Sequence, residues 1–217
     1  MTTLLIATRN RHKAGEIHAI LGEGIRYLTL NDFPDAPEVV EDTGTFAGNA
    51  MKKAVELARW VSIARRSTPD TRHLFVLADD SGLEVDTLGG APGVHSARFA
   101  ALDRAGQGNS HDADNNAKLL RLLKDVPIAK RTARFRCVIA LVSVENLKSE
   151  IQNPRYFEGV CEGRIGFEPR GTNGFGYDPL FIPTGFTQTF AELGGEIKNR
   201  LSHRSKALAQ LKAAFDA

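Results

Sequence analysis

The sequence predicts an α/β protein built around a long mixed β-sheet flanked by helices, because short apolar runs alternate with segments whose apolar residues recur at helical spacing. Two further observations support this class. Several runs end abruptly in polar or glycine-rich turns, and the segments 134–144 and 157–167 are rich in β-branched and aromatic residues. A chain of 217 residues is enough for one domain or two closely joined lobes around a buried core.

In order, Leu4 to Ala7 reads as a short buried strand, which the polar stretch Thr8 to Lys13 breaks before Ile17, Ile20 and Leu21 resume a helical pattern. Residues 31–44 carry prolines and many acids without periodicity and read as a surface connection. From Phe46 to Val61, the positions Ala50, Ala54, Leu57, Ala58 and Val61 trace one helix face. Residues 65–72 are polar, and the connection from Ser62 to His73 leads into a strand over Leu74 to Ala78 that ends in a turn at Asp79-Asp80-Ser81-Gly82. Gly89 to Gly93 is a loop, and Ala105 to Ser110 reads as mobile. Asp112 or Asp114 can cap a third helix bearing Leu119, Leu120 and Leu123. The strands over 134–144 and 157–167 are joined by a polar, proline-containing turn, and a glycine-rich stretch follows from Pro169 to Pro179. Ser202 can cap a C-terminal helix with Leu208, Leu211 and Phe215 facing inward.

Composition narrows the function. A formal charge of +2 lacks the basic excess that coating nucleic acid requires, so any anion site is local. Cys137 and Cys161 lie in apolar surroundings outside any CxxC pair, as buried reduced thiols do. The opening residues have too short an apolar run for a secretory signal, and no run of about 18 apolar residues occurs. The expectation is a soluble, cytoplasmic protein without membrane contact.

Four polar clusters can carry chemistry. Thr8, Arg9, Asn10, Arg11, His12 and Lys13 stand where a strand turns into a helix, and helix-start amides with a hydroxyl, a carboxamide and cations suit a triphosphate. The pattern is not GxxxxGK[ST], and a helix cap with solvated charges competes with the anion reading. Glu41, Asp42, Thr43 and Gly44 precede Asn49, Lys52 and Lys53, a set that could hold a metal and a phosphate oxygen, or simply cap the helix through Asp42 or Thr43. Asp79 and Asp80 carry the strongest signal. Adjacent carboxylates repel, a divalent cation gives them a reason to coexist, and both can reach one site if the chain turns at Ser81 and Gly82; one can ligate while the other acts as base, although an Asx turn explains the pair too. Last, GTNGFGYD over 171–178, with Lys198, Ser202, His203 and Arg204, offers glycines that allow close backbone approach and aromatic rings that can stack on a purine, although glycine loops with aromatics are also common in plain turns and spacing alone does not make this one a binding loop.

Taken together, TRNRHK at 8–13, EDTGTFAGNAMKKA at 41–54, LADDSGLEVDTLGGAPGVHSARF at 77–99, GTNGFGYDPLF at 171–181 and LSHRSKAL at 201–208 resemble, in order, the Ham1 family of inosine/xanthosine triphosphate pyrophosphatases. The resemblance implies one Ham1-like domain over residues 1–217, an elongated fold of two lobes with the active cleft between them, and a homodimer. It implies Mg2+-dependent hydrolysis of ITP, dITP and XTP to the monophosphate and pyrophosphate. Position by position, Thr8, Asn10 and Lys13 would contact the triphosphate. Glu41, with Asp79 and Asp80, would hold magnesium, Asp80 would accept the proton, and Lys53 would act in catalysis as the family's helix lysine. Ser81, Phe175, Gly176, Tyr177, Asp178, Lys198, His203 and Arg204 would surround the nucleotide, the last two at the base. Two departures stand out: a long connection over 62–73, and Asn173 where a glycine is frequent. The rivals are a pyrophosphatase for a modified pyrimidine triphosphate and a non-catalytic nucleotide or RNA sensor.

Overall fold

The computed structural model describes residues 2–64, 73–104, 108–144 and 154–216. Among the described residues, six strands, β1 (Thr3–Ile6), β2 (Arg26–Thr29), β3 (Leu74–Val85), β4 (Thr132–Ser143), β5 (Arg155–Ile165) and β6 (Phe181–Pro183), form one sheet in the order β2-β1-β3-β4-β5-β6. The sheet is mixed: β1 runs parallel to β2 and β3, whereas β5 and β6 are antiparallel. The described residues also form the α-helices α1 (Arg11–Leu21), α2 (Phe46–Ala64), α3 (Asp112–Leu122), α4 (Phe190–Leu201) and α5 (His203–Asp216). The α/β class read from the sequence is the class observed.

The chain divides into two compact units, the first comprising residues 1–80, 138–158 and 207–217, the second residues 81–137 and 159–206. In the first, β1 lies between β2 and β3, with Leu4, Leu5 and Ile6 almost wholly buried. The buried face of α2 is the stripe read from the sequence, Ala50, Ala54, Leu57, Ala58 and Val61, extended by Phe46 and Asn49. Of the inward residues expected on α5, Leu208 and Leu211 are fully buried, and Phe215 packs edge-on against Phe75. The second unit's core gathers Leu83, Val85, Phe99, Leu119, Leu123 and Ile165 around Phe135, Phe181 and Phe190, whose rings lie 4.7 to 6.3 Å apart.

Several boundaries differ from the sequence reading, each for a physical reason. The strand over 74–78 does not turn at Asp79: β3 runs unbroken to Val85, because Leu83 and Val85 are buried and the Leu83 amide donates to Ser96 Oγ at 2.9 Å. Neither Asp42 nor Thr43 caps α2; the Thr45 hydroxyl accepts from the Gly48 amide at 3.0 Å. His111 occupies the cap position of α3, which leaves Asp112 and Asp114 in the first turn, where acids suit the helix dipole. Ser202 does cap α5, accepting from the Ser205 amide at 3.1 Å. Strands β4 and β5 begin and end one or two residues earlier than read, so Phe167 falls beyond β5 and carries the Arg131 guanidinium 4.1 Å over its ring. Residues 65–72, residues 105–107 of the stretch read from the sequence as mobile, and residues 145–153, read as a turn, lie outside the described residues. Cys137 and Cys161 are both buried and outside any disulfide, as expected, and burial pushes the Cys161 thiol up to about 11. Among the described residues, no helix is long and apolar enough to cross a membrane.

Candidate active site

The first unit gathers an acid–lysine cluster at the C-terminal end of β1. After Ile6 the chain leaves the sheet, the Thr8 hydroxyl accepts from the Asn10 amide, and the Asn10 side chain caps α1 by accepting from the amides of His12 and Lys13 at 2.9 and 3.2 Å. Those two helix-start donors are therefore used by the cap, and an anion at this turn would meet side chains instead. Lys13 reaches Asp79 with an ion pair of 2.7 Å.

Asp79 and Asp80 are consecutive on an unbroken strand, so their side chains leave it toward opposite faces. The two carboxylates thus have different partners. Asp79 pairs with Lys13, whereas Asp80 accepts from Asn49 Nδ2 at 3.0 Å. Burial pushes the Asp80 carboxyl up to about 6; the positive charges of Lys13 and Lys53 and the Asn49 hydrogen bond pull it down, while the negative charge of Glu41 raises it. Glu41 and Lys53 form an ion pair, and Lys52 holds the exposed Asp42 at 2.7 Å. Asn49 is the connecting piece. Wholly buried on α2, it donates to Asp80 and accepts from the amide and the hydroxyl of Thr43, tying the loop at 41–44 to the strand. The sequence reading noted Asn49 without giving it a role; its signal was a carboxamide inside an otherwise apolar helix stripe, one turn before Lys53.

Among the described residues, no three His, Cys, Asp or Glu side chains stand together as a ready-made ion cage. The donor chemistry still fits a divalent cation. Glu41 and Asp80 are close enough for their charges to oppose each other, and Mg2+ is typically bound by one or two carboxylates plus phosphate oxygens.

The second unit holds the glycine loop and the start of α5. Asp178, nearly inaccessible, organises the loop from inside: its Oδ2 accepts from the Phe175 amide at 2.9 Å and from Lys198 Nζ at 2.6 Å. A Cβ on Gly174 would stand 2.1 Å from that oxygen, and one on Gly171 2.4 Å from the Ala191 backbone, so both positions require glycine for space as well as for their positive φ. Asn173, where a glycine is frequent, secures the loop by donating to the Ala191 carbonyl at 3.0 Å. The two aromatic residues read as stacking partners separate here. Tyr177 belongs to the core and donates its hydroxyl to the Ser96 carbonyl at 2.8 Å, while Phe175 remains half-buried with Lys198 Nζ 4.4 Å and the Arg204 guanidinium 5.9 Å from its ring centre. His203 stacks on Phe135 at 4.8 Å, and the buried Arg204 donates to Ser81 Oγ at 3.3 Å. Gly176, between the two rings, adopts φ +63°.

The sequence profile of the Ham1 family matches residues 4–214 of this chain. The chain belongs to the Ham1 family. Among its Ham1 relatives is the dITP/XTP pyrophosphatase of Geobacter sulfurreducens, 50% identical over 214 residues that span 98% of this chain and 96% of the relative. The dITP/XTP pyrophosphatase of Shouchella clausii is 43% identical over 216 residues, 100% of this chain and 98% of the relative. In three dimensions the chain is similar to a HAM1 protein from Coxiella burnetii, with a TM-score of 0.79, 37% identity and coverage of 100% of this chain and 99% of that one.

Proposed function

We propose that this chain hydrolyses the triphosphates of deaminated purines, ITP, dITP and XTP, to the nucleoside monophosphate and pyrophosphate, so clearing them from the nucleotide pool. The observation that carries the proposal is Asp80: a carboxyl buried and poised near 6, set between Lys13, Lys53, Glu41 and Asn49, in a chain whose relatives are named dITP/XTP pyrophosphatases.

Asp80, ionised at neutral pH, accepts the proton of the attacking water, while Asn49 fixes which way its oxygens face. Lys13, oriented by Asp79, and Lys53, oriented by Glu41, offset the charge that builds on the departing pyrophosphate. Thr8 and Asn10 complete the triphosphate contacts. Glu41 and Asp80 would hold Mg2+, which would supply Lewis-acid neutralisation of the phosphate oxygens. The second unit reads the base: Phe175 stacks on the purine, and Arg204 and His203 offer donors to the 6-oxo group. Gly176, Asp178, Lys198 and Ser81 support that pocket, and Tyr177 anchors it from the core. Adenine presents an amino group there, so a buried donor would be left unpaired, at a cost of roughly 1–3 kcal/mol, or about tenfold to somewhat over a hundredfold in selectivity. Guanine shares the 6-oxo group and must be rejected at its 2-amino group by the loop around Phe175. The protein acts in the cytoplasm as a homodimer; light scattering at twice the chain mass of 23.7 kDa checks the latter.

Chromatographic product analysis with magnesium on ITP, XTP, dITP, GTP and ATP tests the reaction and the selectivity together. Monophosphate and intact pyrophosphate from the first three, with much slower turnover of GTP and ATP, is the expected result. Orthophosphate released without an added pyrophosphatase would sink this reaction class, preferential turnover of a modified pyrimidine triphosphate would reassign the substrate, and binding without turnover would make the protein a sensor.

A further inference from the structure

The first turn of α3 grips the base loop at a single residue. Asp112 Oδ2 accepts from the Gly176 amide at 2.6 Å, and Asn116 Nδ2, one helical turn later, donates to the Gly176 carbonyl at 3.0 Å. Both polar groups of the residue that follows Phe175 are therefore held by a rigid helix some sixty positions away in sequence. The other anchors of the loop act elsewhere: Asn173 on Ala191, Tyr177 on Ser96, and Asp178 on Lys198. Asn116 also carries a cost, since its Oδ1 is buried with no hydrogen-bond partner. What the amide provides at this position is the grip on the Gly176 carbonyl.

We infer that Asp112 and Asn116 are positioning residues for nucleobase selectivity: they clamp Gly176 and thereby set the plane in which Phe175 presents its ring to the purine. The inference rests on the reading of the loop at 171–178 as the base loop. A stacking ring binds ground state and transition state alike, so the clamp acts on KM and on base preference and leaves the rate of bond cleavage largely alone.

The test combines kinetics with hydrogen exchange on the full chain. Asp112→Ala and Asn116→Ala should each raise KM for ITP by about tenfold, the worth of one ordered hydrogen bond, with kcat within about threefold. Asp112→Asn, whose amide oxygen still accepts from Gly176, should recover most of the loss. In a Phe175→Ala background neither alanine variant should raise KM further, which a general loss of packing would not reproduce. Exchange of the Gly176 amide should accelerate in both alanine variants without substrate, so this arm stands even if the wild type fails to hydrolyse ITP and the proposed activity falls. Unchanged Gly176 exchange, a fall in kcat at constant KM, or full additivity with Phe175→Ala would each overturn the clamp.

Discussion

In the first unit Asp80 is buried with its carboxyl pushed up to about 6, whereas in the second the still more buried Asp178 has Lys198 at 2.6 Å and the Phe175 amide at 2.9 Å on one oxygen. One acid is kept uncomfortable and the other is satisfied. On the proposed function, the difference separates chemistry from recognition: a raised carboxyl suits a proton acceptor, while a loop that holds an aromatic ring in one plane needs its polar groups paired. The same division runs through the lysines, since Lys13 and Lys53 balance acids that would also face polyphosphate, while Lys198 is buried beneath Phe175.

The largest effect that can break this comparison is on turnover. Asp80→Asn should lower kcat by roughly 10²–10⁴-fold while triphosphate affinity, measured by calorimetry, stays within a few fold. Comparable rates for variant and wild type would remove Asp80 from its role.

The same substitution sharpens the comparison through stability. Because the folded carboxyl titrates near 6, above its unfolded value of 3.8, the folded state binds more protons than the unfolded state between those values. Stability therefore falls as pH rises through that window, and the penalty is fully present above it. Asp80→Asn escapes the penalty, so the metal-free variant should be more stable than wild type at pH 8 by on the order of 3 kcal/mol, the gain fading as pH approaches 4. Thermal melts in chelator across that range measure it, and a gain independent of pH would contradict the assignment.

Much of this arrangement was legible in the sequence and the remainder was hidden for identifiable reasons. The α2 face was readable because helical periodicity survives any tertiary context, and the adjacent acids announced themselves by the repulsion they must endure. Their local geometry was not readable: aspartates depress strand propensity, so Asp79-Asp80-Ser81-Gly82 looks like a turn until the burial of Leu83 and Val85 extends β3 through it. Helix α4 went unread because Gly194 and Gly195 interrupt it, Gly194 at φ +79°, although Thr189 and Glu192 formed a capping-box signal at its start. The short strands β2 and β6 gave no periodic signal at all. Tyr177 and Phe175 were indistinguishable by type, and only the core contacts of Tyr177 show that its ring belongs to the core.

A smaller effect concerns the anion end. Lys13→Ala removes a charge-assisted contact worth about 1.5–3 kcal/mol, so KM should rise roughly ten- to a hundredfold. The loss should be the same for every base. An unchanged KM would return residues 8–13 to the role of a helix cap.

The division between a base-blind first unit and a base-reading second unit is tested most directly by the ratio of kcat/KM for ITP to that for ATP, measured in wild type, Lys13→Ala and Arg204→Ala. Lys13→Ala should leave the ratio unchanged while lowering both values, and Arg204→Ala should narrow it by about tenfold or more, because the donor that favours the 6-oxo group is gone. An equal fractional loss on ITP and ATP in Arg204→Ala would show that this arginine serves the phosphates or the fold and would contradict the division.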